Sequence, residues 1–131
     1  EIYTWRYTLS LHDALSDLVA NNRVKADIGK VAVQRGPLVY AAEETDNDFP
    51  LWTARVLTEE EPRVSFEPQL LGGVAMVRIP VESDQLASVD APLYQALPEK
   101  VHRQQAMLKL IPYYAWANRR DGAMQVWLHR R

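Results

Sequence analysis

The sequence predicts an all-β domain: an antiparallel β-sandwich, with a short N-terminal helix lying outside it. Three observations carry that expectation. Apolar residues recur with a period of two, the spacing a half-buried strand requires. Glycine and proline turns separate these segments at short intervals. Of 131 residues, 47% are hydrophobic and 24% charged, which suits one packed domain and not a disordered chain.

The elements follow in order. Ser10 is placed to cap a helix whose apolar positions Leu11, Leu15, Leu18 and Val19 recur at helical spacing. The same stretch, Tyr7-Thr8-Leu9-Ser10-Leu11-His12-Asp13-Ala14-Leu15, also resembles translated adapter sequence from assembled environmental DNA. Residues 1–18 are therefore set apart from a domain spanning 19–131, and residues 1–16 are expected to touch it little. Residues 31–34 read as a strand, and Arg35-Gly36-Pro37 as the turn after it. Residues 38–42 are continuously apolar, as in a strand covered on both faces. Residues 52–57 place Trp52, Ala54 and Val56 on one face, and residues 64–66 form a short strand. Leu71-Gly72-Gly73-Val74 signals a hairpin. Beyond it Ala75, Val77, Ile79 and Val81 face one side, with Arg78 and Glu82 on the other. Residues 83–106, carrying Pro92 and Pro98, read as a long connection with a short helical turn. Residues 107–111 form another strand. Asn118-Arg119-Arg120-Asp121-Gly122 reads as a hairpin loop with Gly122 left-handed. The last strand, 123–128, puts Met124, Val126 and Leu128 on one face.

Charge and composition exclude several functions. A net charge of −2 exerts no general pull toward nucleic acid or an anionic membrane. With 0 cysteines there is no disulfide framework, iron–sulfur cluster, thiolate zinc site or cysteine nucleophile. No apolar run approaches the roughly 18 residues of a membrane span. The start at Glu1 lacks the basic and apolar regions of a signal peptide, so the chain reads as a fragment of a cytoplasmic bacterial protein.

Candidate chemistry is sparse. Glu43-Glu44-Thr45-Asp46-Asn47-Asp48 lacks the glycine and terminal glutamate of a calcium loop and reads as a solvated strand end. Glu59, Glu60 and Glu61 read as a solvated loop before Pro62. His12, His102 and His129 lack metal-ligand spacing, and no nucleophile elbow or phosphate loop occurs. Residues 100–131 hold seven basic residues against Asp121 alone, without a nucleic-acid recognition motif, and read as a solvated or interface face. The candidate contact residues are Tyr113, Tyr114, Trp116, Asn118 and Arg119. Aromatics there suit either a core or interface or a platform that stacks on sugar, and burial of the rings would exclude the platform.

Two segments taken together are more specific. The first is Gly29-Lys30-Val31-Ala32-Val33-Gln34-Arg35-Gly36-Pro37-Leu38-Val39-Tyr40, followed by Glu43 and Asp46-Asn47. The second is Ile111-Pro112-Tyr113-Tyr114-Ala115-Trp116-Ala117-Asn118-Arg119, then Gly122 and Met124-Gln125-Val126-Trp127-Leu128. In content, order and separation they resemble the C-terminal part of glycoside hydrolase family 127, the β-L-arabinofuranosidase family. The resemblance covers about residues 19–128. It implies a β-sandwich that follows an (α/α)6 catalytic barrel, where a zinc-bound cysteine is nucleophile and a glutamate the acid/base. None of those barrel motifs is present, so the resemblance assigns no catalytic, cofactor or metal residue here, and zinc is expected only in the barrel. The implied partners are that barrel, on the same polypeptide, and a second copy in a homodimer. The implied role is non-catalytic, with a carbohydrate-binding module as the alternative.

Overall fold

The computed structural model describes residues 15–131. Its first segment is a strand. β1 (Leu15–Leu18) runs antiparallel to β2 (Lys30–Arg35), with Leu15 opposite Arg35 and Leu18 opposite Ala32. This corrects the helical reading of Leu15, Leu18 and Val19. The open edge of β2 offers unpaired N–H and C=O groups, and filling them outweighs a local helical period. Leu15 packs on the core, while Leu18 and Val19 stay exposed. β1 thus brings Leu15–Leu18, set apart on sequence grounds, into the sheet. Ser10, Leu11, His12 and the rest of the expected helix lie outside the described residues.

Gly36 adopts φ 56° between β2 and β3 (Leu38–Glu43), the left-handed backbone that a two-residue hairpin loop needs at its first position. Arg35 therefore sits opposite Leu38. β4 (Arg55–Val56) follows a 3-10 turn at Leu51–Thr53, which replaces the first half of the strand expected over 52–57. Ala54 and Val56 are buried, but Trp52 faces out. β5 (Arg63–Glu67) and β6 (Val74–Asp84) form the expected hairpin, and Leu71, Gly72 and Gly73 all take positive φ in its turn. β6 and β7 (Arg103–Pro112) pair along their length, from Val77 opposite Leu110 to Asp84 opposite Arg103.

The strand expected at 123–128 divides into β8 (Met124–Gln125), paired with β3, and β9 (Leu128–Arg130), paired with β2 and β4. β7 and β8 both pair with β3 and not with each other, so residues 118–122 are not a hairpin loop.

The pairings close on themselves. β2, β9, β4, β6, β7 and β3 form a six-stranded ring, with β1, β5 and β8 attached outside it. The expected two-sheet sandwich gives way to this closed barrel. Alternation reports one buried face, and the inside of a barrel and one layer of a sandwich look the same to it. Nor is the sheet wholly antiparallel, because β4 and β9 run parallel. Five antiparallel contacts and one parallel contact cannot close around straight strands, so a strand must swing round between neighbours. β2 and β3 both change partners along their length. β2 meets β9 at Lys30 and Val31 and meets β3 at Gln34 and Arg35. β3 then passes to β7 from Tyr40 onward.

Inside the ring, Val31, Val33, Tyr40, Val77, Ile79, Val81, Leu108, Leu110 and Leu128 are buried. Each aliphatic side chain there is worth roughly 1.5–3 kcal/mol by its removal from water. A second cluster, Val74, Met76, Ile111 and Ala115, occupies the other face of β6 and β7. It seats the turn that follows β7.

Candidate functional site

The two diagnostic segments meet at the end of β3. Glu43 is its last residue and is buried, at 5% exposure. A 3-10 turn over Glu44–Asp46 follows, then Asn47. The Asn47 amide donates to the Glu43 carbonyl (2.8 Å) and the Lys109 carbonyl (3.1 Å), and its Oδ1 accepts the Lys109 N–H (2.9 Å). One side chain thereby continues the sheet beside β7 where β3 has ended.

β7 stops at Pro112, and a 3-10 turn over Tyr113–Ala115 buries Ala115 against Val74 and Met76. Ala117 holds φ 63°, a conformation that costs a non-glycine residue about 1–2 kcal/mol. It aims the Ala117 N–H at Glu43 Oε2, 3.4 Å away. Asn118 donates to the Ala115 (3.0 Å) and Trp116 (3.2 Å) carbonyls and fixes the turn from within.

Arg119 then reaches back across the sequence. Its two terminal nitrogens grip Asp46 Oδ1 and Oδ2 at 2.6 Å each, and Nη2 also donates to Glu43 Oε1 at 3.1 Å. This fork-to-fork geometry makes a guanidinium–carboxylate pair both strong and directional. The hydrogen bonds to Asp46, and after them that to Glu43, push the Arg119 pKa above its ordinary value against the desolvation that burial imposes. Further along, Arg120 Nε donates to Thr45 Oγ1 (3.1 Å), and Glu44 and Ala123 exchange two hydrogen bonds, at 2.9 and 2.8 Å.

The candidate residues thus divide. Arg119 is half-buried and reaches inward, and the exposed Asn118 folds back on its own turn, whereas Tyr113, Tyr114 and Trp116 face solvent at 47%, 65% and 36% exposure. The Tyr113 and Trp116 rings lie 6.1 Å apart and tilted by 40°. Glu43 and Asn47 are buried and Asp46 is half-buried, its carboxylate held by Arg119, which corrects their reading as a solvated strand end. Their partners lie far along the chain, and the recurrence of Glu43 and Asp46-Asn47 beside Arg119 in the paired motifs was the available signal. Gly122 is also corrected, because it is not among the positive-φ glycines. A Cβ there would stand 3.1 Å from Glu44 Oε2 and 3.3 Å from Glu44 Cβ, so the site needs its space. Much of the basic C-terminal run is engaged internally, through Arg103 with Asp84 and Glu82 and Arg131 with Glu82. His102 and His129 are exposed.

A model of the glycoside hydrolase family 127 C-terminal domain matches residues 16–129. The chain belongs to that family. It is 42% identical over 130 residues to the non-reducing end β-L-arabinofuranosidase of Bifidobacterium longum subsp. longum, a match covering 97% of this chain and 20% of that enzyme. A solved family 127 β-L-arabinofuranosidase from Geobacillus stearothermophilus T6 superposes with a TM-score of 0.82 at 34% identity, over 90% of this chain and 18% of that one. A second solved family 127 β-arabinofuranosidase gives 0.77 at 34% identity, over 90% and 17%. This family 127 domain therefore spans about a fifth of the length of the relatives it matches.

Proposed function

We propose that this chain is a non-catalytic domain of an enzyme that removes β-L-arabinofuranosyl residues, and that it packs on the polypeptide bearing the catalytic groups or joins two copies of it. The observation that carries this reading is the Glu43–Arg119–Asp46 cluster. It spends the buried charges of the two diagnostic segments on each other and holds Tyr113, Tyr114 and Trp116 outward. Catalytic carboxylates instead flank a substrate, one of them free to give up a proton.

Asp17 and Glu60 share a hollow, and partial burial pushes the Asp17 carboxyl up. At about 100 Å3 that hollow falls well short of the roughly 300 Å3 at which ligand pockets begin. Among the described residues no three His, Cys, Asp or Glu side chains gather as metal ligands. Among the described residues the donor set does not fit zinc.

The test is release of arabinose from an aryl β-L-arabinofuranoside by the purified chain, with and without added zinc. Background rates are expected, and turnover abolished by denaturation overturns the reading. The three rings are exposed, so exposure leaves the platform standing, but the 40° tilt between Tyr113 and Trp116 denies a sugar one plane across both, which favours the interface. Saturable quenching of tryptophan fluorescence by arabinose or arabino-oligosaccharides, lost in Trp116→Ala, would reverse that preference.

A further inference from the structure

The connection from β6 to β7, residues 85–102, leaves the barrel from a tight neck. Asp84 and Arg103 are still paired in the sheet and joined by a 3.2 Å ion pair. Beyond them no strand or helix forms, and the Ala91 N–H closes one turn onto the Ser88 carbonyl at 3.0 Å. Leu86, Val89, Leu93, Tyr94, Leu97 and Val101 are 52–102% exposed. From Gln85 to Pro98 the segment carries one charged residue, Asp90. A chain that leaves this much apolar side chain in water, beside a core complete without it, is shaped for contact with something else.

We infer that residues 85–102 are a docking arm that lays these side chains against an apolar surface of the larger remaining part of a family 127 polypeptide. The inference rests on the packing role proposed above and names the surface that performs it. One observation selects this occupant over a second copy of the domain. The matched relatives carry about four-fifths of their length outside this domain. A neighbour on the same polypeptide meets the arm at an effective concentration on the order of millimolar, so docking escapes most of the cost of association. Pro92 and Pro98 fix their own φ and so lower the entropy lost when the arm is ordered. Leu86 at the base of the arm also lines a hollow of about 380 Å3 on the barrel, where Phe49, Pro50 and Trp52 share the wall with Glu44, Asp48 and Arg120.

The experiment places this chain into the Bifidobacterium longum enzyme in exchange for the matching region. Retained arabinofuranosidase activity establishes the folded chimera. Hydrogen–deuterium exchange is then measured on the chimera and on the isolated chain. The arm should exchange at least about tenfold more slowly in the chimera. Leu93→Ser/Tyr94→Ser/Leu97→Ser should abolish that protection and lower the Tm of the chimera, while leaving the Tm of the isolated chain unchanged. Leu93→Ser alone serves if the triple variant does not accumulate. In the isolated chain the triple variant should also bind severalfold less of an apolar dye at unchanged Tm, and undiminished dye binding overturns the arm as an exposed apolar surface whether or not the chimera folds.

Equal exchange of the arm in both contexts overturns the inference. So does arm protection in the isolated chain that grows with concentration, which assigns the surface to a second copy. If the arm stays fast while Tyr113, Tyr114 and Trp116 become protected, the packing role stands and the arm falls. If neither is protected in the chimera, both fall.

Discussion

The loop after β7 and the arm before it are two irregular excursions from the same strand pair, and they are held in opposite ways. Residues 113–123 are stitched down by Arg119 on Asp46 and Glu43, by Asn118 on its own turn, and by the exchange between Glu44 and Ala123. Residues 85–102 are anchored at the neck and otherwise lie open. The first supplies its own polar partners and so keeps one shape unaided. The second closes one backbone turn of its own, with no side-chain hydrogen bond to the barrel among the described residues, and takes its order from a surface beyond the domain. Irregular backbone is rigid where charged side chains converge on it, and waits for a partner where its side chains lie untied in water.

That contrast breaks most readily at Arg119. Arg119→Met leaves the buried Glu43 and the half-buried Asp46 without their cation, and should cost about 3 kcal/mol in urea unfolding of the isolated chain. A loss below about 1 kcal/mol would put the two excursions on an equal footing. Asn47→Ala comes next. It strands a buried carbonyl and the Lys109 N–H, for about 2 kcal/mol by the same measurement.

Gly122→Ala sharpens the comparison by asking how tightly the loop is packed. The added methyl meets Glu44, and about 1 kcal/mol is expected. The cost should fall when Glu44→Ser is added. A cost independent of Glu44 would point to backbone strain instead. The triple arm variant Leu93→Ser/Tyr94→Ser/Leu97→Ser should move isolated-chain stability by less than about 0.5 kcal/mol, because those groups are already in water.

The smallest effect lies on β1. Burial raises the Asp17 carboxyl above its ordinary 3.8, so the fold favours its protonated form. That contribution is complete below the unfolded value and is lost as pH rises through the folded one. Asp17→Asn should therefore raise Tm slightly at neutral pH and leave it unchanged near about pH 3. The opposite pattern would mean that Asp17 has an electrostatic partner.

Much of the strand inventory is legible in the residues themselves. Val77, Ile79 and Val81 alternate with Arg78 and Glu82, Gly36-Pro37 turns β2 into β3, and Gly72-Gly73 turns β5 into β6. Each is a local matter: side-chain alternation or a φ that few residues tolerate, decided within a handful of neighbours. The paired motifs are legible too, and they place Arg119 and the aromatics at the site. The direction in which each side chain turns is not.

Residue content by itself determined an all-β domain, its main turns and its kinship with family 127. Tertiary structure alone decided that the strands close into a ring, that β4 and β9 run parallel, and that residues 123–128 divide between partners. It also decided that Leu15–Leu18 take a sheet edge against their helical spacing, and that Glu43 is buried and Asp46 half-buried against Arg119. Arg119 sits 73 residues from Asp46, and β9 meets β2 at Lys30 opposite His129. A periodic pattern reports which face of a segment avoids water and carries nothing about which distant segment covers it. That choice follows from the free energy of the whole pairing, summed over edges, registers and buried charges.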